Sequence, residues 1–394
     1  MKRSIVILSA IALVTSSLTS TAYATAKPGA TCSKVGATEI RALVKFTCKK
    51  SGKKLTWDKG VFHPPTPSAS PSASPLVTPT PTASPSATPS ETPGFILRGD
   101  YPVATANYNA VTNELKVRGN SGITAEIIIS PHFNRSFIDM SMYGIYRAMN
   151  YWSDVYVPDY KVPVFFVDPR DKDWFNQEFP KHITDPDYLL AFNTDYAPQT
   201  SNFGAGDAST DTVTGEHYIS YVYTSDYKSN FGSVQIGAHE YTHDVQHNFK
   251  IWNSATQFPC WTKEGQAMFF GISLSAKNLS DYLNVRYKYF QDNPESRTDL
   301  PQGNIDWVDY FTKAELNQRG CAAGGIYESG ELAFEYLFSL HGKQGMIDMW
   351  KALEKAPDLD TALFQVFGVH KVELYKAFGD YIEGQLVEFR KSNQ

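Results

Sequence analysis

The chain has 394 residues, of which 42% are hydrophobic, 14% aromatic and 20% charged. That composition supplies a packed core and excludes a wholly disordered protein. Apart from a shorter stretch at the start, no apolar run reaches the roughly 18–20 residues that span a bilayer. A net charge of −5 gives no overall polybasic footprint, and no nucleic-acid partner is expected. Ten of the 23 prolines fall between Pro64 and Pro93, which excludes one continuous globule.

Residues 1–26 read as a secretory signal peptide. Lys2 and Arg3 precede the apolar stretch Ile5 to Leu18, and Ala22-Tyr23-Ala24 or Ala24-Thr25-Ala26 offers a cleavage site. Export would place the four cysteines where disulfides persist. Residues 27–62 read as a small β module of two or three strands stapled by Cys32 and Cys48, because so short a segment buries little core of its own. Nine Lys or Arg against Glu39 and Asp58 give it a charge of +7. Such a face either adheres to an anionic cell-wall polymer or membrane surface, or is simply solvated. Residues 63–93 are Pro, Ser, Thr and Ala for the most part and form a disordered, extended linker.

Residues 94–394 form the main domain. Ala125–Ser130, Val162–Val167 and His217–Tyr223 are short β-rich runs, and Phe137–Trp152 has helical spacing. After about residue 232 the apolar pattern is helical to the end. A strand-rich first part and a helical C-terminal part indicate an α+β fold.

The chemistry centres on His239-Glu240-Tyr241-Thr242-His243. On a helix, positions i and i+4 share a face, so His239 and His243 can hold one metal ion while Glu240 reaches a water beside it. Glu264 follows within Trp261-Thr262-Lys263-Glu264-Gly265-Gln266-Ala267, and a second helix packed on the first would deliver its carboxylate as a third ligand. Two imidazoles, one carboxylate and an open position suit Zn2+.

These residues resemble the gluzincin metallopeptidases, the thermolysin-like and aminopeptidase-like group. Their pattern is HExxH, a gap of about twenty residues or more, then aromatic-x-x-Glu-Gly-x-Ala, and His239, Glu240, His243 and Glu264 match it position by position. The likeness is specific over 236–270 and looser over 320–345. It implies a zincin-like domain that hydrolyses peptide bonds, with Glu240 as general base. It also implies an oxyanion donor, for which Tyr327 in Tyr327-Glu328-Ser329-Gly330 is the candidate, with His341 a weaker one. A metzincin would need a third His where Phe249 stands; His247 reads as a helix-end residue. The Gly-x-Met-Glu-Asn motif of one large aminopeptidase family does not occur upstream of His239. Met268 stands where thermolysin-like enzymes carry an Asp four residues after the zinc Glu, so the ligands must be oriented by other groups.

If Cys260 and Cys321 pair, they tie the Glu264 helix to the segment before Tyr327. Asp168, Asp171 and Asp173 form an acidic turn that could take calcium but reads as solvated. Two other functions remain: an inactive gluzincin-fold binding protein at the cell surface, and a zinc amide hydrolase acting on a non-peptide substrate. Endo- or exopeptidase action and cleavage preference are not legible. The expected location is secreted or cell-surface associated.

Overall fold

The computed structural model describes residues 30–41, 44–52, 54–58, 61–62, 100–211, 213–228, 235–249, 258–292, 305–316, 321 and 325–391. The expected signal peptide and linker lie outside them. The chain separates into two compact units on either side of residue 82.

In the first unit, β1 (Thr38–Arg41), β3 (Lys54–Trp57) and β4 (Val61–Phe62) all pair antiparallel with β2 (Val44–Ser51). Cys48 and Trp57 are cross-strand partners and are buried together, with Leu55 and Cys32 against them. The Cys32–Cys48 disulfide spans 16 residues, worth about 3 kcal/mol by chain entropy. That is a large share for a unit whose core is a handful of side chains. Lys34, Lys49, Lys50 and Lys54 point to solvent, and Lys49 pairs with Asp58 at 3.0 Å.

The second unit is mixed α and β. Its elements are α1 (Pro102–Arg118), β5 (Ala125–Ile129), α2 (Ser136–Trp152), β6 (Val162–Val167), α3 (Lys172–Glu178), α4 (Pro186–Ala191), β7 (Gly204–Thr210) and β8 (His217–Tyr223). Then come α5 (Ile236–Asn248), α6 (Cys260–Ser275), α7 (Leu279–Asp292), α8 (Trp307–Leu316), α9 (Ile326–Lys355), α10 (Leu359–Phe367) and α11 (Lys371–Lys391). The sheet order is β5-β6-β8-β7, with β5, β6 and β8 parallel and β7 antiparallel at one end.

Strands β6 and β8 are apolar on both faces, as strands covered on both sides must be. Alternate residues Val162, Val164, Phe166, Ile219, Tyr221 and Tyr223 join the main core. Phe165, Val167, Tyr218 and Val222 face a second core with Phe175, Phe179, Tyr188 and Phe192. The first part of the domain therefore carries four helices among its strands, more helix than its β-rich runs suggest. Helix α1 buries Ala104, Asn107, Tyr108 and Val111. A polar residue sits in that stripe because Asn107 donates to the Glu335 carbonyl at 2.7 Å.

Glycines set how closely the helices approach. A Cβ on Gly237 of α5 would lie 2.1 Å from the Ser141 carbonyl oxygen of α2, and one on Gly265 of α6 would lie 2.3 Å from Gly330 of α9. The Cys260–Cys321 disulfide anchors the start of α6. Across its 61-residue separation it contributes about 4 kcal/mol by chain entropy. Helix α9 kinks at Gly342, whose φ is 59°.

Helices α7, α9 and α11 meet at a buried charge. Arg286 donates to Glu335 through Nε at 2.8 Å and to Gln385 at 2.8 Å, while the Tyr282 and Tyr381 hydroxyls also donate to Glu335. Both charged side chains have 0% exposure. Glu335→Leu is expected to destabilise the domain by about 3–5 kcal/mol, since among the described residues it leaves the buried guanidinium only Gln385 and the more distant Glu331, 3.9 Å away. A chemical-denaturation midpoint measures this, and an unchanged midpoint refutes it.

Candidate metal centre

Helix α5 is pressed between α2, α6 and the sheet, so His239, Glu240 and His243 are each 5–7% exposed. The three form one buried group able to hold a metal ion, with a ligand atom from each within 4.8 Å of the others. Helix α6 adds Glu264, 6% exposed.

The His239 and His243 Nε2 atoms are 3.0 Å apart, and Glu264 Oε2 lies 3.3 and 3.2 Å from them. Tetrahedral bonds of about 2.0–2.1 Å would separate ligand atoms by about 3.3–3.4 Å. The donor triangle therefore fits a small four-coordinate cation, leaving one position open. Imidazole and carboxylate donors suit zinc among several divalent ions.

The electrostatics favour positive charge at this point. Burial works against a charged His243, yet the Glu264 and Glu240 carboxylates lift its pKa to about 9. Burial would raise Glu264, but the His243 charge and hydrogen bonds from both rings hold it well below the usual carboxylate range. His239 is pushed down by burial, which outweighs the pull of Glu264. Glu240 is pushed up to about 8 by burial, with Asp207 and Glu264 adding to the effect against His243. A divalent ion in the triangle would supply the positive charge that these carboxylates otherwise draw from protons.

Strand β7 lies directly over Glu240. A Cβ at Gly206 would stand 2.8 Å from Glu240 Oε1, so only glycine leaves the carboxyl its place. On α9, Gly330 meets Gly265, which sits next to Glu264, and Tyr327 lies one turn before it. The Tyr327 ring is parallel to that of His239, with centroids 6.1 Å apart. Burial and the Glu264 charge raise the Tyr327 pKa far above its ordinary value, so its phenol stays a donor.

Other candidates lie elsewhere. His341 packs against Phe367 in a tilted pair with ring centroids 4.5 Å apart, about 21 Å along the helix from Tyr327 at 1.5 Å per residue. His247 Nδ1 is 2.5 Å from Thr210 Oγ1. Asp168 is engaged by Arg170 at 2.8 and 2.9 Å. Asp171 accepts from the His132 amide and contacts its ring. Asp173 is exposed.

Two sets of residues near the centre were not legible as such. Asp207 on β7 carries a carboxyl with no hydrogen bond among the described residues, and burial lifts its pKa to about 6. Gln246 and Gln266 stand behind His243: its Nδ1 is 2.7 Å from Gln246 Oε1, and Gln246 Nε2 donates to Gln266 Oε1 at 2.7 Å.

No protein-family profile, curated protein or solved structure matches the chain.

The protein is expected to take up one divalent ion per chain, and His243→Ala or Glu264→Ala should abolish uptake. Calorimetric titration with zinc and elemental analysis check this; wild-type protein that holds no ion would refute the site.

Proposed function

We propose that this protein is a zinc-dependent peptidase, exported and retained near an anionic surface. The reading rests on one observation: two imidazole nitrogens and a carboxylate oxygen lie 3.0–3.3 Å apart, with the Glu240 carboxyl beside them. The likeness of His239, Glu240, His243 and Glu264 to the gluzincin pattern supports it.

When bound, zinc would polarise the scissile carbonyl and lower the pKa of a water toward 7. Glu240 is placed to accept a proton from the attacking water as the water's oxygen forms the new bond to the carbonyl carbon. As the C–N bond breaks, Glu240 returns the proton to the departing nitrogen. The Tyr327 hydroxyl donates to the carbonyl oxygen as negative charge gathers there. Strand β7 ends the sheet, and no further strand pairs with it among the described residues. Its outer edge can align an extended peptide by backbone hydrogen bonds next to Glu240. Burial favours the neutral acid form of Glu240, whereas its role requires a free carboxylate; a bound divalent ion would favour that form.

Two disulfides, two cysteine pairs with no free thiol among the described residues, favour an oxidising location. No helix among the described residues is long and apolar enough to cross a membrane. The exposed lysines of the first unit, within a segment of charge +7, support attraction to an anionic polymer or headgroup surface.

Glu240→Gln should retain zinc and lose peptide hydrolysis by about 10²–10⁴-fold. A chelator-sensitive assay on a mixed peptide library decides it: a fully active variant overturns the mechanism, and an inert, zinc-loaded wild type favours a binding protein. Full-length protein should also bind an anionic polymer column at low salt and elute as ionic strength rises. Changing Lys34, Lys50 and Lys54 to Glu should bring elution forward, and unchanged elution refutes a role for this face.

A further inference from the structure

The notable absence after Glu264 is the Asp that would orient a ligand; Met268 holds its place. A different set of groups stands behind His243. Trp350 Nε1 donates to Gln266 Oε1 at 2.7 Å, and Gln246 Nε2 donates to the same oxygen at 2.7 Å. Gln246 Nε2 also donates to the Lys263 carbonyl at 3.2 Å, and Gln246 Oε1 faces His243 Nδ1 at 2.7 Å. Gln246, Gln266 and Trp350 all have 0% exposure.

The polarity of this chain follows from chemistry. An indole N–H can only donate, so Gln266 must present its oxygen to Trp350. A backbone carbonyl can only accept, so Gln246 must present its amide nitrogen to Lys263 and, in the same plane, to Gln266 Oε1. Turning Gln246 over would set acceptor against acceptor, and turning Gln266 over would set donor against donor, in a buried place where unmade hydrogen bonds are costly. The oxygen of Gln246 is thereby committed to His243, and Nδ1 must carry a proton. Nε2 is then the nitrogen whose lone pair can meet a metal.

We propose that Gln246, Gln266 and Trp350 form a polarity relay that holds His243 with its proton on Nδ1 and its Nε2 aimed at the metal. All three are positioning residues: only Gln246 touches the ligand, and Gln266 and Trp350 act through it. The relay spans α5, α6 and α9, so the packing of these helices is registered in the orientation of one imidazole. His239 has no such support, since its Nδ1 is buried without a hydrogen-bond partner among the described residues. The two histidines are thus unequal, His243 being preset and His239 following.

The relay rests on His243 being a zinc ligand, and zinc affinity of the full chain, measured by chelator competition, tests it without recourse to activity. Gln246→Leu should weaken zinc binding by about 10–100-fold, the usual cost of removing a group that orients a ligand. Gln266→Met removes the shared acceptor without touching His243 and should weaken binding several-fold. Gln266→Glu keeps that acceptor oxygen, burial would hold its carboxyl in the neutral acid form, and the amide nitrogen that the hydroxyl replaces has no partner among the described residues. It should therefore bind zinc within about twofold of wild type. A Gln266→Glu loss equal to that of Gln266→Met would show that packing, not polarity, matters and would overturn the relay. So would a Gln246→Leu protein with wild-type affinity. If Gln246→Leu fails to fold by circular dichroism, the Gln266 pair alone decides. Wild-type protein that binds no zinc overturns the metal centre and the relay together, whereas wild-type uptake with no contrast between the Gln266 variants overturns only the relay.

Discussion

Two helix backbones touch at Gly265 and Gly330, and the arrangement of the centre hangs on that contact. Any side chain at Gly265 would have to occupy the space of the Gly330 main chain. Because α6 and α9 can meet so closely, Glu264 is brought to the two histidines while Tyr327, one turn before Gly330, is brought to the same place from the other side. Interiors packed at crystal density transmit strain rather than absorb it, so a shift at this contact would be felt at the centre. A donor triangle with sides of 3.0–3.3 Å tolerates no such shift.

The electrostatics follow from that crowding. His239, Glu240, His243 and Glu264 are all buried, so each carboxylate strongly biases its neighbours. Asp207 and Asp244 add to this. Asp244 is wholly buried, and burial together with the Glu240 and Asp207 charges raises its pKa far above the ordinary range. The main domain as a whole carries about thirteen negative charges in excess, offset in part by the basic first segment. Unlike charge on the two parts of one chain is a statement about where each is at ease, and the mild total hides it.

Much of this was legible because it is local. Helical periodicity sets His239 and His243 on one face, and the Glu-Gly-x-Ala segment marks Glu264 from sequence alone. The cysteine pairing is not fixed by sequence, since four cysteines allow three connectivities; the fold joins Cys32 to Cys48 and Cys260 to Cys321. What escaped is long-range or low in local signal. Strand β7 reads GAGDAST, a run of small residues with little β propensity; it is a strand because β8 and α5 make it one. That concealed Asp207 and the approach of Gly206 to Glu240. Helix α1 carries Asn107 in its apolar stripe, and the carbonyl that satisfies it is 228 positions away. The glutamines behind His243 are unremarkable until Trp350, 84 positions beyond Gln266, supplies the donor that orients them. His341 illustrates the converse: a plausible distance along the chain became a remote place in space because α9 runs straight from Tyr327 to its kink.

The Cys260–Cys321 bond sits at the first residue of α6, four positions before the carboxylate that completes the donor triangle. Thiols join only in oxidising surroundings. A chain still inside a reducing cell therefore has both histidines on their helix while the helix bearing the third ligand lacks its covalent tether. The bond thus couples the firmness of the donor geometry to the redox state of the surroundings: the helix that carries Glu264 is tethered where thiols oxidise and untethered where they stay reduced.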